Sequence, residues 1–405
     1  MDGISGTDPH PLLLGESGGA GSGGLGRGRA SGPAASGGTV TFDQPSHLLT
    51  IAPNSSGRAE SCLVPNLLAY EGQIVVVDVN GAAYSATADA RRNMGQTVVR
   101  LDPFEVIGPD SDALNPLELL EGLESPALET ACQDIAGLVA PRNAFSEATD
   151  HEAFGLLCGV IGYLSATADR RSLDQLYSTM HNDDVVYNLA VVLDTIGKQI
   201  PKMAYSEIAN FLQKSDSIRP QVLQTAIAHL KMLGVPQVQS TVSRSTVRLA
   251  ELRAGAPVTI YLVIPPERLG THGALLRIWA GALLHNVLRT SPPPLRPPLF
   301  LLDHCAALGG FPLLESVLGS GSYAGFRVWT FWHDLHQLRT TYPSAWPAIV
   351  SGSGAVQVFG TKDSAAASEA ETFLGLPMNE VWALGPREQI VHLDGVPHRI
   401  GRLAS

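Results

Sequence analysis

The stretch Ala52-Pro-Asn-Ser-Ser-Gly-Arg-Ala59 stands between a short apolar run, "HLLTIA", and the segment "ESCLVPNLLAY". That is the layout of a phosphate-binding loop between a strand and a helix. A loop of the form GxxxxGK[ST] curls its backbone N–H groups around phosphates, sends a lysine to the outer phosphates and places a hydroxyl on magnesium. Laid on Ala52–Ala59, only Gly57 fits that pattern, with Asn54, Ser55 and Ser56 as the loop positions before it. The remaining positions do not: Ala52 replaces the first glycine, Arg58 the lysine and Ala59 the hydroxyl residue. Arg58 keeps the positive charge, but a guanidinium is longer and flatter than an ammonium. Ala59 has no group that could ligate a metal.

A magnesium site needs a carboxylate as well, commonly at the end of an apolar strand, and "LFLLD" supplies Asp303 there. Its neighbour, where many ATPases carry a glutamate that orients the attacking water, is His304. A histidine can accept a proton but lacks the carboxylate's charge and geometry. Plainer readings stand beside these. Gly57 permits a turn, Asp303 is a strand-end carboxylate, and Asp78 caps the helix that follows "QIVVVDV". His304 and His333, at the ends of neighbouring strands near Asp303 and Asp78, could bind a transition metal. His333 and His336, three apart, equally suit a solvated helix face.

Composition frames what these residues serve. With 405 residues, 44% apolar and 16% charged, the chain can bury a sizeable core. A formal charge of -11 argues against an overall electrostatic hold on DNA or anionic lipid. Cys62, Cys132, Cys158 and Cys305 are scattered singly, which suggests neither a disulfide framework nor a four-cysteine zinc site. The most apolar segment, "ALLRIWAGALLHNVL", is broken by Arg277 and His285, so no span of the membrane is expected.

Residues 1–38 carry thirteen glycines and little that could fill a core, and they read as a flexible arm. From Thr39 onward, "HLLTIA", "QIVVVDV" and "QTVVRLDP" are short runs bounded by Pro and Gly, the mark of strands buried on both faces of a parallel sheet. Between 141 and 240 the apolar residues recur at helical spacing with no strand among them. Strands resume with "VTIYLVIP", "LFLLD", "FRVWTFW" and "AVQVFG". The alternation predicts a doubly wound α/β sheet, in two parts spanning 39–140 and 241–405, interrupted by an all-helical domain. "SPPPLRPP" reads as a stiff spacer. Arg91 and Arg92 complement a helix dipole, and Trp332 is a candidate partner contact.

The order of these pieces resembles the type IV secretion coupling proteins, the TraG and TraD type of conjugative DNA-transfer ATPase. The loop runs into "PNLL", Pro65–Leu68, and "DVNGA", Asp78–Ala82, stands for the family's "DPKGE". "DPF" (Asp102–Phe104) and "NPL" (Asn115–Leu117) are unaltered, and "TIYLVIPP" spans Thr259–Pro266. "LLDHCAALG", Leu301–Gly309, is similar to "LLDEFAALG", and "HDLHQL", His333–Leu338, to "QDLAQL". The match covers about residues 40 to 400.

This resemblance implies a RecA-like P-loop NTPase fold with an inserted helical domain that reads the transport substrate. It implies ATP and Mg2+ as cofactors, with Asn54–Ala59, Asp78 and Asp303 around the nucleotide. His333 takes the place of a glutamine that senses it. Partners would be type IV secretion components, relaxase or effector substrates and DNA, in a ring-like homo- or hetero-hexamer at the bacterial inner membrane. The departures concentrate in one pocket: Ala52, Arg58, Ala59, Val79, Asn80, Ala82, His304 and His333. Two expectations follow. In one, a catalytically impaired homologue recruits substrate or assembles, mixed with an intact paralogue. In the other, a divergent ATPase still drives transfer. Family members commonly begin with transmembrane helices, whereas this chain enters its nucleotide domain after the arm, so a cytoplasmic or membrane-peripheral location is expected.

Overall fold

In the computed structural model, residues 11–17, 38–142, 145–167, 171–321, 325–393 and 395–403 are described. Apolar runs of four to seven residues form the centre. β1 is Leu12–Glu16, β2 Thr39–Phe42, β3 His47–Ile51, β4 Ile74–Val77 and β5 Thr97–Leu101. β6 is Val258–Leu262, β7 Leu299–Leu302, β8 Arg327–Trp332, β9 Ser353–Phe359, β10 Glu388–Leu393 and β11 Val396–Gly401. Among the described residues they make one eleven-stranded sheet in the order β2-β1-β11-β10-β9-β3-β8-β7-β4-β6-β5. From β9 to β5 every pairing is parallel. From β9 to β2 every pairing is antiparallel.

The period of two along each central strand splits its side chains between two cores. Val75, Val77, Phe300 and Leu302 enter the larger core, while Ile74, Val76, Leu299 and Leu301 enter the smaller one. Each fully buried residue of this size contributes roughly 1.5–3 kcal/mol, which is why these runs are apolar throughout rather than alternating.

The expected arm is corrected in part. Leu12 and Leu14 are completely buried, and β1 lies between β2 and β11. Three side-chain amides fix it. Asn66 bonds both the N–H and the carbonyl of Leu13 at 2.9 Å, and Gln357 and Gln389 donate to the Leu14 carbonyl. The partners of "LLLGE" lie outside its own neighbourhood, in β2, at Asn66 and as far away as Gln389, so local composition misreads it. Residues 1–10 and 18–37 of that expected arm lie outside the described residues.

Between β5 and β6 the chain is helical. Its centre is the helix Ala148–Ser165, buried along most of its length. Gly155, Gly159 and Gly162 let the helix Lys202–Leu212 approach: a Cβ on Gly162 would lie 2.6 Å from Ala204 Cβ. Arg277, on the helix Leu269–Leu288, ties the helix Ala127–Val139 to the turn after β7 by donating to Leu138 O at 2.8 Å and Leu308 O at 2.9 Å. Among the described residues no helix is long and apolar enough to cross a membrane.

Candidate functional site

β3, β8, β7 and β4 are neighbours in one parallel block, so Ala52, His333, Asp303 and Asp78, which follow them, share its C-terminal edge. That edge is where open α/β sheets bind ligands. The loop after β3 starts with the Ala52 N–H bonded to Trp332 O at 2.8 Å. Ser55 (φ 57°) and Gly57 (φ 81°) take left-handed conformations that reverse the chain. Gly57 meets this requirement without a Cβ penalty. A π-helical turn, Ala59–Leu63, and the helix Val64–Ala69 follow.

Arg58 turns inward and is 7% exposed. Its Nε donates to Asp303 Oδ1 at 2.6 Å, and the Asp303 side chain is 11% exposed. Nη1 donates to Ala52 O at 3.2 Å and reaches Asn54 Oδ1 at 3.4 Å. Nη2 donates to His304 Nε2 at 2.8 Å. Because a guanidinium only donates, His304 Nε2 must be the acceptor, which makes the ring neutral with its proton on Nδ1. Burial pushes the His304 imidazole below its usual range; Asp303 opposes that shift, and Arg58 and His333 reinforce it. His304 itself is left-handed (φ 49°), and its N–H donates to Asp303 Oδ1 at 2.9 Å.

Asp78 is buried and faces the helix Ala82–Asn93, where its Oδ2 accepts the Tyr84 N–H at 2.7 Å. Burial raises its carboxyl to about 6 against the pull of those backbone donors, and Asp303 adds to the rise. His333 pairs through Nδ1 with Asp334 Oδ2 at 2.8 Å, and Asp334 caps the helix Leu335–Thr341. The two imidazoles raised as metal ligands are thus engaged by an arginine donor and a capping carboxylate. Among the described residues no group of three or more His, Cys, Asp or Glu is arranged to hold a metal ion. His336 is exposed.

The structure therefore brings Asn54, Arg58, Asp303 and His304 into direct contact, leaves Ser55 and Ala59 as backbone, and directs Asp78 and His333 to helix ends. Ser56 contributes its carbonyl to Arg402 Nη1, while its own buried hydroxyl has no partner among the described residues. Arg402 is a residue that sequence reading missed. It follows β11, stacks 3.7 Å from the Phe359 ring centroid and donates through Nε to Glu388 O at 2.9 Å. Nothing in its local sequence marks it. Trp332, read as a partner contact, is buried, with Nε1 bonded to Thr330 Oγ1 at 3.0 Å.

These residues do not fit a magnesium–nucleotide complex. Ala59 offers no oxygen. Asp303 already accepts an arginine, and the cation of the loop points at that carboxylate rather than outward. Magnesium needs near-octahedral oxygen ligation.

The strand order, the loop after β3 and the carboxylate after β7 define an α/β protein of the RecA-like, P-loop NTPase class with a helical insertion. Residues 22–394 match the family model described as type IV secretory system conjugative DNA transfer, and the chain belongs to that family. It is 25% identical over 323 residues to the conjugal transfer protein TraG of Escherichia coli, covering 73% of this chain and 49% of that protein. It is 24% identical over 339 residues to VirD4 of Rhizobium radiobacter, covering 82% of this chain and 48% of that protein. The chain thus spans about half the length of these relatives. Among solved structures, the plasmid coupling protein TrwB in complex with ADP and Mg2+ superposes with a TM-score of 0.71 at 14% identity, covering 100% of this chain and 97% of that one. TrwB with a non-hydrolysable ATP analogue gives 0.70 at 16% identity, covering 89% and 86%. At such identities the likeness establishes the fold alone.

Proposed function

We propose that this chain is a type IV secretion coupling-protein homologue that has lost ATP hydrolysis and serves in substrate recruitment or assembly. The observation that carries the reading is the 2.6 Å ion pair between Arg58 and Asp303, made across the place where a metal and phosphates would meet. The loss of the hydroxyl at Ala59 and of a carboxylate at His304 adds to it. Each missing group of this kind typically lowers turnover about 10²- to 10³-fold, and such losses within one site do not simply add.

In this reading the helical stretch 141–240 presents the surface that meets relaxase or effector substrates, with or without DNA. The sheet, parts 39–140 and 241–405, supports a ring-like hexamer at the inner membrane, either of this chain alone or mixed with an intact paralogue. The chain would be cytoplasmic and peripheral to that membrane.

The test is equilibrium binding of a fluorescent ATP analogue with and without magnesium, followed by a hydrolysis assay on the same preparation. The wild type is expected to give no magnesium-dependent turnover while still co-purifying with secretion components. The combined variant Arg58→Lys, Ala59→Thr, His304→Glu serves as the restored comparison. Magnesium-dependent turnover by the wild type that disappears in Asp303→Ala would instead establish a divergent motor, and the proposal would fall.

A further inference from the structure

A guanidinium has five N–H groups, and four of those of Arg58 are taken by the cradle: one by Asp303, one by Ala52 O, one by Asn54 Oδ1 and one by His304. These contacts reach the loop's first residue, its middle and the carboxylate across from it, which is the set a bound ligand would otherwise draw together. The loop's outer side is also held by protein. Arg402 donates to Ser56 O, and the Ser61 hydroxyl donates to Gly57 O at 2.7 Å. Three carbonyls of the turn, those of 52, 56 and 57, are therefore satisfied without water or ligand. An arginine fork is suited to this because its planar donors are fixed relative to one another, so few rotors are frozen per bond.

We propose that Arg58 is a tethered ligand: it occupies the cradle as a permanent cation opposite Asp303 and keeps the loop folded independently of nucleotide. This deepens the reading of a silent site, on which it rests, by assigning the loop a single conformation where a working motor must have two. A subunit built this way holds one shape throughout the cycle of any neighbours it joins. The arrangement also explains why the loop tolerates Ala52, since its curl no longer has to open for phosphate.

Hydrogen–deuterium exchange of the peptide covering 52–63, on the full chain, tests the proposal. Wild-type exchange is expected to be the same with and without millimolar magnesium-ATP. Arg58→Ala is expected to exchange about tenfold faster there, because local opening no longer breaks those bonds. Its Tm should fall by on the order of 5 °C, since a buried carboxylate is left without its cation. Arg58→Ala with Asp303→Asn should recover most of that Tm yet keep the fast loop exchange, a split that an ordinary stabilising ion pair would not produce. Should Arg58→Ala not fold, Arg58→Lys replaces it, because lysine can pair Asp303 but cannot span Ala52, Asn54 and His304 together. Its loop should exchange measurably faster than wild type. Loop exchange within twofold of wild type in the variant used, or a wild-type loop that slows on adding magnesium-ATP, overturns the proposal. Hydrolysis by the wild type would end the silent-site reading, whereas an unchanged loop in a non-hydrolysing protein would end only this one.

Discussion

Asp78 Oδ2 accepts the Tyr84 N–H at 2.7 Å from inside the core, so a carboxylate in line with the cradle works as a helix cap. Its carboxyl is raised from 3.8 to about 6, chiefly by burial. A raised folded value means that the proton is held more tightly in the native state. The associated stability is fully present below pH 3.8 and is lost as pH rises through 6. Asp78→Asn keeps a capping oxygen and removes the buried charge. It should therefore stabilise the protein at pH 8 by up to about 3 kcal/mol, with the gain vanishing by pH 4. Urea denaturation at the two pH values measures this, and a variant less stable than wild type at pH 8 would contradict it.

His47 gives the opposite slope. It is fully buried, its Nδ1 accepts the Val328 N–H at 3.1 Å, and burial lowers it to about 4. A depressed histidine stays neutral in the fold while the unfolded chain takes up a proton below 6.5. Stability from this group is present above pH 6.5 and is lost as pH falls toward 4, by about 3 kcal/mol. His47→Asn retains an acceptor toward Val328, and its stability should lose one proton's worth of slope in that window. An unchanged slope would show that other histidines carry the acid sensitivity.

Arg91 should be among the most sensitive positions outside the cradle. It is completely buried and donates to Leu67 O, Tyr70 O, Gly72 O and Thr259 Oγ1, clamping the end of the helix Val64–Ala69 against β6. Arg91→Met fills similar space but takes the donor from the carbonyls of Leu67 and Tyr70, while Gly72 O keeps only the 3.3 Å bond from Gln96 Nε2, which should cost about 3 kcal/mol. Thermal denaturation of the full chain tests it, and a Tm within 1 °C of wild type, roughly a 1 kcal/mol effect at most, would refute the clamp.

Gly162 tests the packing of the helical insertion. With a Cβ already 2.6 Å from Ala204, Gly162→Val forces the helices Ala148–Ser165 and Lys202–Leu212 apart. A loss of about 1–3 kcal/mol is expected, seen as faster limited proteolysis within 148–212 while the sheet stays resistant. Uniform cleavage along the whole chain would mean that the two regions do not unfold separately.

The parallel half of the sheet was legible because strands buried on both faces need no alternation: "IVVV" and "LFLL" can hardly be anything but interior. The antiparallel half was not. β2 is the four-residue "TVTF", β11 contains Pro397, and β10 carries His392, so each is defined by its neighbours rather than by its own pattern. The site divides the same way. Residue types announced a cradle missing its lysine, hydroxyl and glutamate, but the inward turn of Arg58 depends on Asp303, 245 residues away. Arg91 read as a dipole complement because a helix-end arginine is usually solvated, and only the fold supplies its buried carbonyls.

β1 has a consequence for how the molecule comes into being. β1 can pair early with β2 and Asn66, but the carbonyl of Leu14 waits for Gln389, 375 residues further along, so the two sides of this strand close at very different stages. A ribosome emitting this chain leaves the β11 side of β1 open until Gln389 and β11 have emerged. Closure of the sheet at β1 is thus a step that joins segments made far apart in time.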